Sequence, residues 1–376
     1  MKVTIIGSGF AALSAIEKLR QLDPGRRVRV TVVSPRPRFV YLPSLIWIPS
    51  GARRGDELSV PLGDYFARMG VEFHPGEARE IRDGGRTVVT SQGSLPNDGL
   101  LIACGAQYLQ KIPGSGHTHN PCAGIPAAQA VGRRIATLKG GTVAMGFGGN
   151  PNEPTAIRGG PLFEFLFGLH TQLQRERRRH RFNLVFFAPM PQPGQRLGPR
   201  AVQGLLAAMA KRNIRTHLGH KITGFESDRV KTEGGDIRAD LILFLPGLTG
   251  PAWLQNTGLE LSPGGFLKAD GLCRVAGGER VYAAGDVGSF PGPDWRAKQG
   301  HMAELQARAA MANLYAELRG RPVEQTFRTE LVCIVDTLNS GMLVSRFPTF
   351  NLILPPTPLM HWAKVWLERR NLAAYR

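Results

Sequence analysis

The chain begins with a pattern that leaves few choices of fold: an apolar strand, a glycine-rich turn and a helical segment. The turn reads GSGFAA, with Gly7, Gly9, Phe10 and Ala12 at the spacing G-x-G-x-x-A, and a second apolar strand is predicted at 28–33. The first glycine permits the tight turn, the second allows a ligand to approach the backbone, and the alanine lets the helix pack closely on the sheet. Because free N–H groups at a helix N-terminus favour a pyrophosphate, the pattern predicts a βαβ dinucleotide-binding unit rather than a chance glycine turn.

The end of the second strand departs from the usual form of this unit. An acidic residue normally stands there and binds a ribose, whereas this chain has Ser34 followed by Arg36. A serine hydroxyl can still bond to a ribose hydroxyl, although more weakly than a carboxylate, and the arginine can attract a phosphate. We therefore count both residues as candidate cofactor contacts.

Two later segments indicate which dinucleotide is bound. One predicted strand ends in Cys104-Gly105-Ala106, and a late one ends in Gly285-Asp286. In flavoproteins with two dinucleotide-binding domains, such strands return to the first sheet and the aspartate meets the ribityl chain of the flavin. Together with the N-terminal motif they predict FAD, because a simple NAD dehydrogenase has no late Gly-Asp strand.

The middle of the chain predicts a second, degenerate unit of the same kind. Gly146-Phe147-Gly148-Gly149 resembles a nucleotide-binding loop, but Asn and Pro residues follow it, and a helix is predicted only from about Pro161, with Glu164 in its first turn. A dinucleotide would lack its helix N-terminus here, so we expect a Rossmann-like domain that no longer binds NAD.

The predicted fold class is α/β, with two Rossmann-like dinucleotide-binding domains and a C-terminal membrane- or partner-docking region. The predicted divisions are a first part of the FAD-binding domain, the second Rossmann-like domain, a return segment of the FAD-binding domain and the C-terminal region: 1–112, 113–234, 235–325 and 326–376.

The amino-acid composition limits the kinds of molecule that the protein is expected to bind. Lys and Arg number 47 against 29 Asp and Glu, a net charge of +18, which favours an anionic partner. The basic run RERRRHR at 175–181 lacks the aromatic residues and motifs of nucleic-acid readers, so no nucleic acid is expected. Four widely spaced cysteines form neither a disulfide framework nor a zinc pattern, and no metal site is predicted. The opening strand and the lack of a long uncharged apolar run favour a cytoplasmic protein without a spanning helix.

The assembled motifs resemble the sulfide:quinone oxidoreductase and flavocytochrome c sulfide dehydrogenase family. The resemblance rests on the aromatic-proline stretch around Pro43, on GGPLFEF, on the late AAGDV segment followed by AKQGHMAELQA with Lys298 and Gly300, and on LVCIVD. It implies an FAD enzyme that oxidises sulfide or a small sulfur compound and passes electrons to a quinone or another acceptor.

The same resemblance implies roles for the cysteines. Cys333 matches one of the family's sulfur-carrying pair, and Cys122 matches a third cysteine that is linked to FAD in some members. The other pair member should precede GGPLFEF, where this chain has Ala156-Ile157-Arg158. Cys122 and Cys333 could form an alternative pair, or the chemistry could differ, and each thiol could instead be a packed core residue. Arg158 could lower a thiol pKa.

Other candidate side chains also have more than one interpretation. Lys298 is predicted beside the pyrimidine end of the flavin, where it would stabilise the reduced anion, unless it is a surface lysine. Glu164 could shuttle protons, or it could be a helix-start carboxylate favoured by the helix dipole. Cys104 and Cys273 are predicted to lie in strands and to belong to the core.

The C-terminal region favours contact with a membrane. Residues 347–360 carry no charge, and 359–376 can form a helix with its apolar residues on one side: Leu359, Trp362, Ala363, Trp366 and Leu367. Aromatic residues beside basic ones are typical of an interfacial helix, which would place the protein peripherally on the inner face of the membrane. The alternative is a helix packed on its own domain or in a homo-oligomer.

The sequence thus predicts an FAD-dependent oxidoreductase of the sulfide:quinone type. An NADH:quinone-type reductase is one alternative, and a non-catalytic FAD-binding or sensor protein that has lost a redox cysteine is another.

Overall fold

The computed structural model describes all 376 residues. The α-helices are α1 Phe10–Leu22, α2 Gly63–Met69, α3 Ile125–Thr137, α4 Gly160–Arg175, α5 Pro199–Ala210, α6 Gly300–Leu318 and α7 Pro358–Tyr375. The strands are β1 Lys2–Ile6, β2 Arg29–Ser34, β3 Arg38–Val40, β4 Ser59–Pro61, β5 Val71–Pro75, β6 Ala78–Arg82, β7 Thr87–Thr90, β8 Gly93–Pro96, β9 Gly99–Ile102, β10 Gln107–Tyr108, β11 Gly141–Phe147, β12 Phe182–Ala188, β13 Ile214–Leu218, β14 Ile222–Glu226, β15 Arg229–Thr232, β16 Ile237–Arg238, β17 Leu241–Leu245, β18 Leu248–Thr249, β19 Leu267–Lys268, β20 Val281–Ala283, β21 Gly288–Ser289, β22 Leu331–Asp336, β23 Gly341–Arg346 and β24 Asn351–Thr357.

The first domain is built on a parallel sheet with the order β20-β9-β1-β2-β5. The strands β9 and β20 come from distant parts of the chain and pair next to β1, as the sequence predicts for a flavin-binding domain. Strands covered on both faces need continuous apolar runs, and β9 is buried at every position. Helices α1 and α6 pack against each other beside this sheet.

The second domain has its own parallel sheet, with the order β13-β12-β11-β17. Helix α4 begins at Gly160, one residue from the predicted start, and residues 148–159 separate it from β11. The predicted domain boundary after residue 234 is wrong, because β17 pairs in parallel with β11 from Val143↔Leu241 to Phe147↔Leu245. The chain therefore returns to the first domain only after this strand.

The C-terminal region forms an antiparallel sheet, β22-β23-β24, followed by α7. Thr357 caps the start of this helix, and its side-chain oxygen accepts a hydrogen bond from the backbone N–H of Met360. Near its other end, Leu372 and Tyr375 are buried in the core of the first domain. The helix is thus an integral part of the fold. None of the helices combines the length and the apolar character that crossing a bilayer requires.

Candidate active site

A large cavity opens where the carboxyl ends of the first sheet face the second domain. Its volume is about 2380 Å³, and its lining includes the residues that follow β1, β2, β9 and β20. Pockets for ordinary small ligands measure roughly 300–1,000 Å³. The cavity is therefore large enough for a dinucleotide, and it lies at the edge of the sheet where α/β proteins bind such ligands.

The glycine motif forms a cradle at one end of this cavity. Gly7 has φ of +119°, and a Cβ there would lie 2.4 Å from the carbonyl oxygen of Ala103. Gly9 is the N-cap of α1, and a Cβ added to it would meet nothing within 4 Å, so the backbone is bare on the cavity side. The first turn of α1 contains no acidic residue. These features suit a pyrophosphate at the helix N-terminus.

The other N-terminal candidates lie in different places: in the cavity lining, in the interior or at the surface. Phe10 and Ser34 line the cavity, and the Ser34 hydroxyl lies 3.1 Å from that of Ser8. Ala12 is fully buried, in keeping with its predicted role of holding α1 close to the sheet. Arg36 does not line the cavity and its side chain is exposed, so the structure does not support the predicted phosphate contact.

Four further candidates lie in the same cavity, and Cys104 is directly beside Gly7 of the cradle. Pro43, Cys104, Gly105 and Ala106 all line the cavity. Cys104 follows β9 instead of lying in it, and it is only half-buried, so the prediction of a core strand residue is wrong. Cys273 is fully buried as predicted, but it lies in a turn with φ of +66° and not in a strand.

The late Gly-Asp segment is fixed by buried polar contacts. Gly285, with φ of +79°, donates its N–H to the side-chain oxygen of Gln306 at 2.9 Å. Asp286 forms an ion pair with Arg158, the residue that stands where a second cysteine was expected. The pKa of Arg158 is raised, because Asp286 and its other neighbours outweigh the opposing effect of burial. Gly300 starts α6, and a Cβ there would lie 3.3 Å from the ring of Phe10.

Lys298 lines the cavity, but its ammonium group is already engaged. It donates to the backbone oxygens of Asp286 at 2.9 Å and Gly288 at 2.7 Å, and it lies 3.9 Å from the ring centre of Phe266. Burial lowers the pKa of Lys298 to about 8. The structure thus uses this lysine to hold the Gly-Asp segment, and the predicted contact with the flavin ring remains a prediction.

Both candidate thiols lie in the same cavity. Cys122 and Cys333 line it, and neither forms a disulfide. Cys333 projects from β22 towards the start of α4, since its sulfur lies 4.0 Å from a Cβ placed on Gly160. Burial raises the pKa of each thiol to about 12, and in Cys122 this effect exceeds the lowering effect of Arg158. The predicted activation by Arg158 is therefore not seen in this state.

A buried network of charged groups lies next to Cys333. Glu164 is 6% exposed; its carboxylate pairs with Lys364 of α7 and accepts the N–H of Asp336 at 2.8 Å. Burial raises the pKa of Glu164 to about 7. Asp336 accepts hydrogen bonds from Trp47 at 2.9 Å and from His361 at 2.6 Å. The prediction that Glu164 lies in the first turn of its helix is wrong, since α4 has no acid there.

Sequence reasoning missed the partners in this network. Lys364 and His361 lie in a helix predicted either to contact a membrane or to pack on its own domain or in a homo-oligomer, without named partners, and Asp336 ends the strand singled out for Cys333. The signal was the presence of ionisable residues within otherwise apolar segments, since a buried charge requires a partner.

The fold and the cavity define a flavin-dependent oxidoreductase with two dinucleotide-binding domains. The bare glycine cradle, the acid-free start of α1 and the late Gly-Asp segment fit FAD. In agreement, a sequence model described as "Pyridine nucleotide-disulphide oxidoreductase" matches residues 1–311, and the chain belongs to that family. It is an oxidoreductase whose cofactor is FAD.

The chain is also similar in sequence, over most of its length, to two named proteins. The chain is 24% identical over 355 residues to a sulfide-quinone reductase of Aquifex aeolicus, covering 89% of this chain and 80% of the relative. It is 22% identical to the demethylphylloquinone reductase NdbB of Synechocystis, covering 86% and 81%.

Solved structures show the same fold. The sulfide:quinone oxidoreductase of Aquifex aeolicus superposes with a TM-score of 0.90 at 22% identity, covering 100% of this chain and 91% of the other. NDH2 of Plasmodium falciparum, solved in complex with NADH, superposes with a TM-score of 0.76 at 13% identity, covering 100% and 97%.

Proposed function

We propose that this protein oxidises sulfide or another small sulfur compound and passes the electrons through FAD to a quinone. The observation that carries the proposal is the presence of Cys333 and Cys122 in the cavity that also contains the flavin cradle. The likeness to a sulfide-quinone reductase over most of the chain supports it.

The residues around Cys333 suit a thiol that must lose a proton to react. A thiolate is the nucleophile in sulfur chemistry, and Cys333 is held as a neutral thiol by burial. Glu164, whose pKa is about 7, interacts electrostatically with this thiol and can accept a proton near neutral pH. Lys364 favours the charged form of both groups. Bound FAD would accept the two electrons that the sulfur compound loses when it is oxidised.

Arg158 distinguishes this cavity from that of a protein with the full cysteine pair. Its guanidinium lies beside Asp286, Tyr108 and Cys122, so a positive charge is fixed where the resemblance leads one to expect a thiol. In our proposal Cys333 carries the sulfur, Cys122 assists, and Arg158 stabilises negative charge that develops between them.

The C-terminal region gives the proposed route for a quinone. The exposed apolar face consists of residues of α7 and of the segment before it: Phe350, Leu352, Leu359, Trp362, Trp366 and Leu367. Leu367 also lines the cavity, as do Lys364 and Tyr375 of the same helix. A lipid-soluble acceptor could therefore reach the flavin past α7 from a membrane surface. Arg370, 5.3 Å from the ring centre of Trp366, adds the basic character of an interfacial helix.

The test is anaerobic mixing of the FAD-loaded protein with sulfide, followed by addition of a short-chain quinone. We expect sulfide to bleach the flavin and the quinone to restore its colour. Cys333→Ser should retain FAD and melt nearly as the wild type does, yet lose the sulfide-dependent bleaching. Cys122→Ser should slow the reaction less.

The matched control is Cys273→Ala, which removes a buried thiol outside the cavity. It should lose roughly 1–2 kcal/mol of stability and keep the sulfide reaction. Unchanged sulfide kinetics in Cys333→Ser would show that this cysteine is only a packing residue and would refute the proposed role.

A further inference from the structure

Three arginines converge at one end of the cavity, away from the glycine cradle. Arg196 lies between β12 and α5, Arg296 lies just before α6, and Arg346 ends β23. Arg196 donates to the backbone oxygens of Arg296 at 3.1 Å and of Ile157 at 3.0 Å. Arg346 in turn donates to the backbone oxygen of Arg196 at 3.0 Å. All three line the cavity.

The charges of two members of this cluster, Arg196 and Arg346, are not neutralised by a carboxylate of the protein. Carbonyl oxygens orient the guanidinium groups without cancelling their charge, and neither Arg196 nor Arg346 has a carboxylate within 4.0 Å. Arg296 differs from the other two, because its guanidinium donates to the backbone oxygens of Gly292 and Pro293 and forms a long ion pair with Glu153 at 3.9 Å. Asp294 in the same loop is exposed and pairs with none of them. Burial, and then the neighbouring Arg296, lower the pKa of Arg196 to about 10.

The cluster is next to the candidate sulfur-carrying thiol. In the β22–β23 ladder Arg346 is opposite Leu331, and Cys333 is opposite Val344. Cys333 and Arg346 therefore project from the same face of the hairpin and are diagonal neighbours, a relation that places Cβ atoms about 7–8 Å apart. An anion held by the arginines would lie within reach of the thiol.

The geometry suits an oxyanion. Guanidinium groups bind planar or tetrahedral oxyanions through paired N–H donors, and Arg346 is further fixed 4.9 Å from the ring centre of Trp295. Arg196 and Arg346 are partly buried and have no carboxylate partner, so a bound anion would supply the opposite charge that they lack. We propose that Arg196, Arg296 and Arg346 form a subsite for a small divalent oxyanion beside Cys333. Under the proposed function, on which this assignment of the ligand rests, that oxyanion is a sulfur oxyanion.

Another oxyanion source must be distinguished by experiment. Arg196 follows β12, the second strand of its domain, and the adenosine ribose of a dinucleotide binds after that strand in related folds. A nucleotide phosphate would offer the arginines similar chemistry, so the test includes NADPH.

The test measures binding of thiosulfate and of sulfate to the FAD-loaded protein by titration calorimetry. We expect saturable binding of thiosulfate, weakened about tenfold or more by Arg346→Gln. Arg346→Lys should weaken binding less, because lysine keeps the positive charge but lacks the planar, paired N–H donors of the guanidinium group. FAD content and melting temperature report that each variant is folded. The matched control is Arg215→Gln, at an exposed arginine of β13, which should leave binding unchanged. Equal binding of sulfate would support an oxyanion subsite that does not distinguish thiosulfate from sulfate.

Several results would overturn the subsite. The first is the absence of saturable binding of either anion, and the second is equal affinity for thiosulfate in Arg346→Gln and the wild type. The third is micromolar binding of NADPH that thiosulfate displaces and Arg346→Gln abolishes, which would assign the arginines to a nucleotide phosphate. Because the titration requires no turnover, its outcome is separate from that of the proposed function. Thiosulfate binding by a protein that does not oxidise sulfide would leave the subsite standing and refute only the proposed function.

Discussion

Burial sets the protonation of the groups that surround the flavin cavity. It raises the pKa of Glu164 to about 7 and lowers that of Lys298 to about 8, so both titrate near neutral pH. The thiols of Cys122 and Cys333, with pKa values raised to about 12, stay neutral there. Proton transfer from a thiol is thus a step that this cavity must assist.

Glu164 should make the free energy of unfolding depend on pH. Its pKa is raised in the folded state, so the folded protein binds more protons than the unfolded chain between about pH 4.5 and 7. The resulting contribution to stability is fully present below pH ~4.5 and is lost as the pH rises through about 7. Relative to Glu164→Gln, the wild type should lose up to roughly 3 kcal/mol between pH ~4.5 and ~8.

Urea unfolding of both proteins across this pH range checks the prediction. Glu324→Gln, at an exposed glutamate, is the control and should follow the wild type. Parallel pH profiles for wild type and Glu164→Gln would show that the carboxyl group does not titrate in this range.

Local patterns located individual candidates well but not their partners. The motif spacing found Gly7, Gly9 and Gly285, because backbone geometry is encoded within a few residues. The partner of Glu164, Lys364, is 200 positions away, and no local pattern could pair them. The exposed position of Arg36 likewise depends on how the chain leaves β2.

At the scale of elements, α7 packs on the protein through a mixed apolar and charged side and leaves its largest apolar side chains exposed. Its apolar residues Leu359, Trp362 and Trp366 are 69%, 62% and 57% exposed, whereas Glu368 is buried. The packed side combines the buried Val365, Leu372 and Tyr375 with two ion pairs, Lys364–Glu164 and Glu368–Arg53, the latter at 2.7 Å. Its large apolar side chains are left free for a membrane or a partner.

The Arg53–Glu368 pair should be important for stability. Glu368 is almost fully buried, and one of its oxygens has no hydrogen-bond partner. Arg53→Ala would leave a buried carboxylate without a cation, at a cost of roughly 3–5 kcal/mol. Urea unfolding measures this cost. In a Glu368→Gln background the same change should cost clearly less, because no charge remains. A cost within about 0.5 kcal/mol in the wild-type background would contradict the account.

Membrane contact is tested better by substitution than by deletion, since removing α7 would also remove core residues. Replacing Leu359, Trp362 and Trp366 by Ser should release the FAD-loaded protein from anionic liposomes in sedimentation assays at low salt. The double variant Trp362→Phe and Trp366→Phe retains apolar surface and should still bind. If the wild type fails to sediment with liposomes under these conditions, the exposed apolar face serves another partner.

Elements were predicted more reliably than their grouping into domains. The start of α4 lies within one residue of its prediction, and the apolar runs identified the strands β1, β2, β9 and β20 of the first parallel sheet. The boundary after residue 234 failed because β17 is a continuous apolar run that would fit either sheet, and only its pairing with β11 assigns it. Long-range strand pairing is absent from local sequence patterns.

For the whole molecule, the central question is which reductant reaches the flavin. Residues 148–159 stand between β11 and α4, where a nucleotide-binding loop would join strand and helix directly. This segment is pinned by Asn150, whose side chain donates to the backbone oxygens of Leu248 at 2.9 Å and Gly264 at 3.0 Å. A second dinucleotide is therefore not expected to bind productively in this domain.

The most direct measurement is stopped-flow mixing of the FAD-loaded protein, without oxygen, with sulfide in one experiment and with NADH in another. We expect rapid bleaching of the flavin by sulfide and slow or no bleaching by NADH. Rapid reduction by micromolar NADH, with no response to sulfide, would contradict this expectation and would identify an NADH-dependent reductase instead.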